Sequence, residues 1–209
     1  MLPEVLAELL RLYARRGIAD WAKARDEERR RATDCLGTKI AENETEANVA
    51  ISTIYNGNNE NRLRFIPMPK YPGSQGFERS FFVPVCTTKP DGTLRIGLEL
   101  FLLVTGKNCL AFRFEQAHER GKSTHDFAHV QMSRKLLGER IESKVQAWIP
   151  NRYPAFPISP DPLRMFLSMA TSIHGHTGGM LTILQEIFQS AGKTAHVGKY
   201  FAEIRSILN

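Results

Sequence analysis

Leu94-Arg95-Ile96-Gly97-Leu98-Glu99-Leu100 and Leu110-Ala111-Phe112-Arg113-Phe114-Glu115 alternate apolar and polar residues with a period of two. Alternation of that kind predicts half-buried strands, because successive side chains point to opposite faces of a sheet. In both stretches the even positions are apolar and the odd positions include the charges. His125-Asp126-Phe127-Ala128-His129-Val130-Gln131-Met132 keeps the same parity, with odd His125, His129 and Gln131 against even Ala128, Val130 and Met132. Strands are therefore expected over 93–104, 109–117 and 126–133. Lys89-Pro90-Asp91-Gly92, Thr105-Gly106-Lys107-Asn108 and the polar run 119–124 have turn chemistry and hairpin length. They predict an antiparallel meander.

Hairpins that keep one parity must pair odd with odd. A turn centred on Gly121 makes paired residue numbers sum to about 242 and sets Arg113 opposite His129. One sheet face then carries Arg95, Glu99, Arg113, Glu115, His129 and Gln131, with His118 and His125 at the turn end, and on a half-buried sheet this polar face, His129 included, is expected to face solvent. Two further strands are expected, over 62–68 and 80–87. The second resists a face assignment, since Phe81, Phe82, Val83 and Val85 are apolar at both parities. It is either buried on both sides or bulged at Pro84.

Working outward, the flanks read as helices. Val5, Leu6, Leu9, Leu10 and Tyr13 form one apolar stripe that stops near Gly17. A second helix runs from Ile18 through the charged segment 23–31, with Gly37 interrupting it. A third covers about 38–55 and ends in Asn56-Gly57-Asn58-Asn59. After the sheet, Pro150, Pro154, Pro157 and Pro160 forbid a central strand or helix, while Trp148, Tyr153 and Phe156 predict that the segment is pinned on the sheet or a neighbour. Asp161-Pro162 is an N-cap followed by a first-turn proline and opens a helix over 163–173. Two more helices are expected over 180–189 and 197–208. The reading is one α+β domain over 1–209: an N-terminal helical lobe (1–57), a central antiparallel sheet of about four to five strands (62–133), a Pro-rich connection (134–160) and a C-terminal three-helix lobe (161–209).

Composition bounds the function. The chain has 209 residues, 42% of them hydrophobic and 24% charged, as in ordinary globular proteins and unlike disordered ones. No apolar run approaches the roughly 20 residues that cross a bilayer. Residues 1–11 carry Glu4 and Glu8 where a signal peptide needs basic residues, so a cytoplasmic protein without a membrane partner is expected. Cys35, Cys86 and Cys109 are odd in number and far apart, which speaks against both a disulfide framework and a cysteine zinc site. The net charge of +6 is uneven: +2 over 1–31, zero over 32–133 and +4 over 134–209. Basic ends suit phosphate binding, with Arg29, Arg30, Arg31 and Arg95 as the candidate nucleic-acid contacts. The opposing charges at three- and four-residue spacing in 23–31 equally make a solvated helix face.

Arg113, His118, His125 and His129 are the candidate catalytic residues. Imidazoles exchange protons near pH 7 and an arginine stabilises phosphoryl charge, which is the inventory of a metal-independent ribonuclease. Arg113 and His118 fit the Arg-x4-His spacing of the HEPN ribonucleases, which the segment resembles in these two letters. That family carries the motif on a helix, whereas 110–114 reads as a strand. No cofactor or metal is expected: on a strand, His125 and His129 sit about 13 Å apart at roughly 3.3 Å per residue, too far to share an ion. His174-Gly175-His176 reads as a polar interhelical turn, and Gly175-His176-Thr177-Gly178-Gly179 lacks the Lys-Ser/Thr of a phosphate-binding loop.

A sheet ending in His125-x3-His129-x-Gln131, then a Pro-rich stretch, then Asp161-Pro162 opening a helix, resembles small uncharacterised prokaryotic proteins that accompany defence-type operons. The layout covers about 109–176, implies a bacterial cytosolic protein working with a larger partner, and identifies no catalytic residue. Two functions follow. The leading one is a non-catalytic subunit that docks a larger protein, or a second copy, through its helices. The alternative is an RNA- or DNA-binding protein, and within it a ribonuclease built on the His/Arg cluster.

Overall fold

The alternation of 94–132 is realised as an antiparallel meander, and the helices that build the core fall on its apolar side. In the computed structural model, described over residues 2–36, 40–56, 64–70, 79–88, 94–103, 109–117, 127–132, 156–158 and 160–174 and at 182, 185, 186 and 189, three helices precede the sheet. These are α1 (Leu2–Ala22), α2 (Asp26–Leu36) and α3 (Glu44–Asn56). The strands are β1 (Ile66–Pro67), β2 (Arg79–Thr88), β3 (Leu94–Leu103), β4 (Cys109–Glu115), β5 (His129–Met132) and β6 (Phe156–Pro157), and α4 (Pro162–His174) follows. The strands lie side by side in chain order, all antiparallel.

Parity holds across the sheet. Leu98 pairs with Phe114, Phe114 with Val130, and Phe82 with Leu100, so the even residues share one face. That face supplies Ile66, Phe82, Leu98 and Phe114 to a core completed by Leu6, Leu9, Leu10 and Tyr13 of α1, Ile51 of α3, and Met165, Phe166 and Met169 of α4. The Tyr13 ring meets Phe166 edge-on at 5.1 Å and Phe82 at 6.0 Å, and burial raises its phenol well above the ordinary range. The register runs without interruption through Pro84, and Phe81, Phe82, Val83 and Pro84 are all buried. Of the two alternatives for this strand, burial on both faces is the one found over 79–84.

Several boundaries differ from the expectation, each for a local reason. α1 does not stop at Gly17: a Cβ there would lie 1.9 Å from the Pro67 carbonyl oxygen, so the glycine lets the helix cross the β1 backbone closely. The chain leaves helix only at the turn 23–25, and the acidic residues Asp26, Glu27 and Glu28 open α2 where the helix dipole favours them. The third helix begins at Glu44 rather than near 38. Ile40 makes a parallel bridge to Phe65, the Ala41 N–H donates to the Phe65 carbonyl at 2.8 Å, and Asn43 Oδ1 caps α3 by accepting from the Glu46 N–H at 3.0 Å.

The Pro-rich connection supplies an unforeseen sixth strand, the two residues Phe156–Pro157, which pair with Val130 and His129. Both outermost strands are thus two residues long and contain a proline, an arrangement that blunts sheet edges against further pairing. At α4 the expectation holds: the Arg164 N–H donates to Asp161 Oδ1 at 2.9 Å, with Pro162 as the first helical residue. Within the expected 180–189 helix, Thr182, Gln185, Glu186 and Gln189 are helical and exposed, and Glu186 meets Arg16 of α1 at 3.4 Å. The helix expected over 197–208 lies outside the described residues. Among the described residues no helix is long and apolar enough to cross a membrane.

Candidate functional site

The odd face of the sheet gathers the polar residues. β4 places Arg113 and Glu115 two apart, hence on one face, and β5 places His129 opposite Glu115 and Gln131 opposite Arg113. β3 brings Glu99 opposite Arg113. Arg113 therefore does not face His129 as the turn-centred estimate requires. The paired numbers sum to 244, a slip of two that leaves every residue on its expected face and changes only its neighbour. Glu115, expected on this face but not among the candidate catalytic residues, stands between the two.

Arg113 Nε lies 3.3 Å from Glu115 Oε1, and His129 Nε2 lies 3.7 Å from Glu115 Oε2. His129 Nδ1 is 2.9 Å from the Phe127 carbonyl oxygen. A carbonyl only accepts, so Nδ1 carries a hydrogen and donates it, and the ring turns Nε2 toward the carboxylate. Phe127 packs its ring edge-on to the imidazole at 5.7 Å while remaining 38% exposed. The Ile158 N–H donates to the Ala128 carbonyl and Gln116 Nε2 to the Pro160 carbonyl, both at 2.9 Å, which ties the chain ahead of α4 to this end of the sheet.

A carboxylate held by an arginine beside an oriented imidazole is a unit that can move a proton. Its accessibility is the decisive quantity. The His129 side chain is 0% exposed, Glu115 14% and Arg113 27%. The expectation of a solvent-facing His129 is therefore corrected: odd parity places it away from the helix-covered face but does not place it in water. His118 and His125 lie outside the described residues. Among the described residues no group of three or more His, Cys, Asp or Glu is arranged to hold a metal ion.

The candidate nucleic-acid contacts separate. Arg29 Nη2 donates to the Trp21 carbonyl at 3.1 Å and to the Ala22 carbonyl at 2.9 Å, satisfying acceptors that the end of α1 leaves open. Arg31 is paired with Glu27, whose carboxyl is held below its usual range first by that hydrogen bond and then by the charges of Arg31, Arg25 and Arg30. Arg30 is exposed. Arg95 pairs with Thr87 through the backbone register, and its side chain lies outside the description.

A second polar cluster, invisible in the sequence, joins α2 to β2. Arg79 Nε lies 2.5 Å from Glu28 Oε1, with side chains 6% and 14% exposed, and the guanidinium carbons of Arg29 and Arg79 each lie 5.6 Å from the centre of the Trp21 indole. Trp21 in turn meets Phe81 edge-on at 5.5 Å. The comparisons with known proteins bring no match from family models, curated proteins or solved structures.

Proposed function

We propose that this chain is a non-catalytic subunit of a bacterial, defence-type multiprotein complex, docking a larger protein through its helices. The supporting observation is that the groups best suited to chemistry are engaged within the chain. The His129 ring is fully buried between the Phe127 carbonyl and Glu115, Arg29 caps α1, and Arg31 is paired with Glu27. Side chains so held are taken up by the fold rather than offered to a substrate, which suits a subunit that works by docking.

The nucleic-acid reading keeps one observation in its favour, the Arg113–Glu115–His129 row, whose composition suits acid–base work on RNA if the edge formed by Phe127 and Pro157 moves aside. One experiment separates the two. The tagged chain is purified from its native host with and without nuclease treatment, and the isolated chain is assayed for RNA cleavage with and without chelator. A protein recovered in fixed ratio after nuclease, cross-linking to the helices, is the expected result. Nucleic acid alone in the eluate, or cleavage by the wild type that His129→Ala abolishes, would replace the subunit reading with the second.

A further inference from the structure

We infer that α2 is a charge-held latch, which opens as a unit while α1, α3, α4 and the sheet stay folded. Its sequence, Asp26-Glu27-Glu28-Arg29-Arg30-Arg31-Ala32-Thr33-Asp34-Cys35-Leu36, offers little to bury. Ala32 and Leu36 are the buried apolar side chains described in it, and neither belongs to the core cluster built on α1, α3, α4 and the even face of the sheet. With so few apolar side chains, the helix is fastened, among the described residues, by its polar contacts. These are the part-buried Glu28–Arg79 pair and the Arg29 contacts with the Trp21 and Ala22 carbonyls and with the Trp21 ring.

Such fastening is strong while intact and contributes little net stability, because removing two charges from water costs nearly what their attraction returns. Arg29 Nε adds to the cost of the closed state, being buried with no hydrogen-bond partner among the described residues. Opening returns Glu28, Arg29 and Arg79 to water and leaves the apolar core cluster untouched. The hinge is the three-residue turn 23–25, stabilised by one backbone bond from the Ala24 N–H to the Trp21 carbonyl at 2.9 Å. Segments of this kind belong to the low-stability end of a protein's opening spectrum. Opening uncovers Trp21 together with Arg79, so the latch controls an aromatic and cationic surface.

The test is native-state hydrogen exchange on the full chain, read separately for 30–36 and for 6–14. The α2 amides should exchange at least about tenfold faster than those of α1 in the wild type, through an opening that does not require global unfolding. Glu28→Gln should raise α2 exchange by a further tenfold or so and leave 6–14 unchanged, because it strands the Arg79 charge. The charge swap Glu28→Arg with Arg79→Glu should recover protection relative to Glu28→Arg alone. Exchange of α2 and α1 at one common rate in the wild type, or α2 protection unchanged in Glu28→Gln, would overturn the latch. If Glu28→Gln unfolds the chain altogether, so that 6–14 loses protection with 30–36, α2 is part of the cooperative core and the inference fails equally.

Discussion

On the even face of the sheet, Ile66, Phe82, Leu98 and Phe114 meet three helices and are buried by apolar contact, whereas on the odd face His129 is just as buried beside the arginine-paired carboxylate of Glu115. The first kind of burial gains free energy with every square ångström, at about 25 cal/mol per Å². The second gains only the surplus of pairing over desolvation, and it fails sharply when one member is lost. Parity therefore tells which residues share a face, and chemistry tells how that face is held. Neither tells how far it is from water.

The largest effect belongs to the apolar side. Phe82 is fully buried, touches Tyr13 and Phe166, and pairs with Ile66 and Leu100, so Phe82→Ala should cost about 3–5 kcal/mol in urea unfolding. A loss below about 1 kcal/mol would remove the helix-covered face as the source of stability.

Next comes the crossing of α1 over β1. Gly→Ala inside a helix ordinarily gains about 1 kcal/mol. At Gly17 the new methyl would meet the Pro67 carbonyl oxygen at 1.9 Å, and that oxygen belongs to the backbone, so helix or strand has to move. Gly17→Ala should therefore reverse the usual sign and destabilise by about 2–3 kcal/mol. A stabilised variant would mean that α1 does not cross β1 this closely.

On the odd face, His129→Ala should cost about 2 kcal/mol, from the cavity it leaves and the Phe127 carbonyl deprived of its donor. This is less than Phe82→Ala because the ring is smaller and part of its contact is polar. A change within about 0.5 kcal/mol would return His129 to the solvent-facing role that alternation alone suggested.

Much of the architecture was legible because period-two alternation and turn chemistry are local. The parity of 94–132, the strand order and the Asp161 cap all lie within a few residues of their own signals. What escaped is not local. Gly17 reads as a stop until Pro67, fifty residues on, explains it. Ile40 and Ala41 read as helix until Ile40 bridges to Phe65 and the Phe65 carbonyl accepts from the Ala41 N–H. The register slip that gave His129 to Glu115 rather than Arg113 depends on a turn whose centre the loop sequence specifies only to within a residue. Glu28 and Arg79, separated by 51 positions, leave no pattern at all.

The smallest effect separates three consecutive arginines. Read as a basic run, Arg29, Arg30 and Arg31 are equivalent phosphate contacts, and reversing any of them should weaken binding to a polyanion in the same salt-dependent way. The structure makes them unequal: Arg29 donates to the last carbonyls of α1 and lies against Trp21, Arg31 is paired one turn away with Glu27, and Arg30 is exposed. Arg29→Glu would set a carboxylate against two carbonyl oxygens at the negative end of a helix dipole, and should cost about 1–2 kcal/mol. Arg30→Glu should stay within about 0.5 kcal/mol of the wild type, since an exposed helix position in mixed charge carries little. Unfolding free energies measured beside the affinity for a short single-stranded RNA at two salt concentrations decide the matter. A stability loss in Arg29→Glu with no RNA binding to lose in Arg30→Glu supports a structural role for Arg29 in tying α2 to the end of α1. An Arg30→Glu variant of unchanged stability that loses a strong, salt-dependent RNA affinity would instead make α2 a nucleic-acid contact.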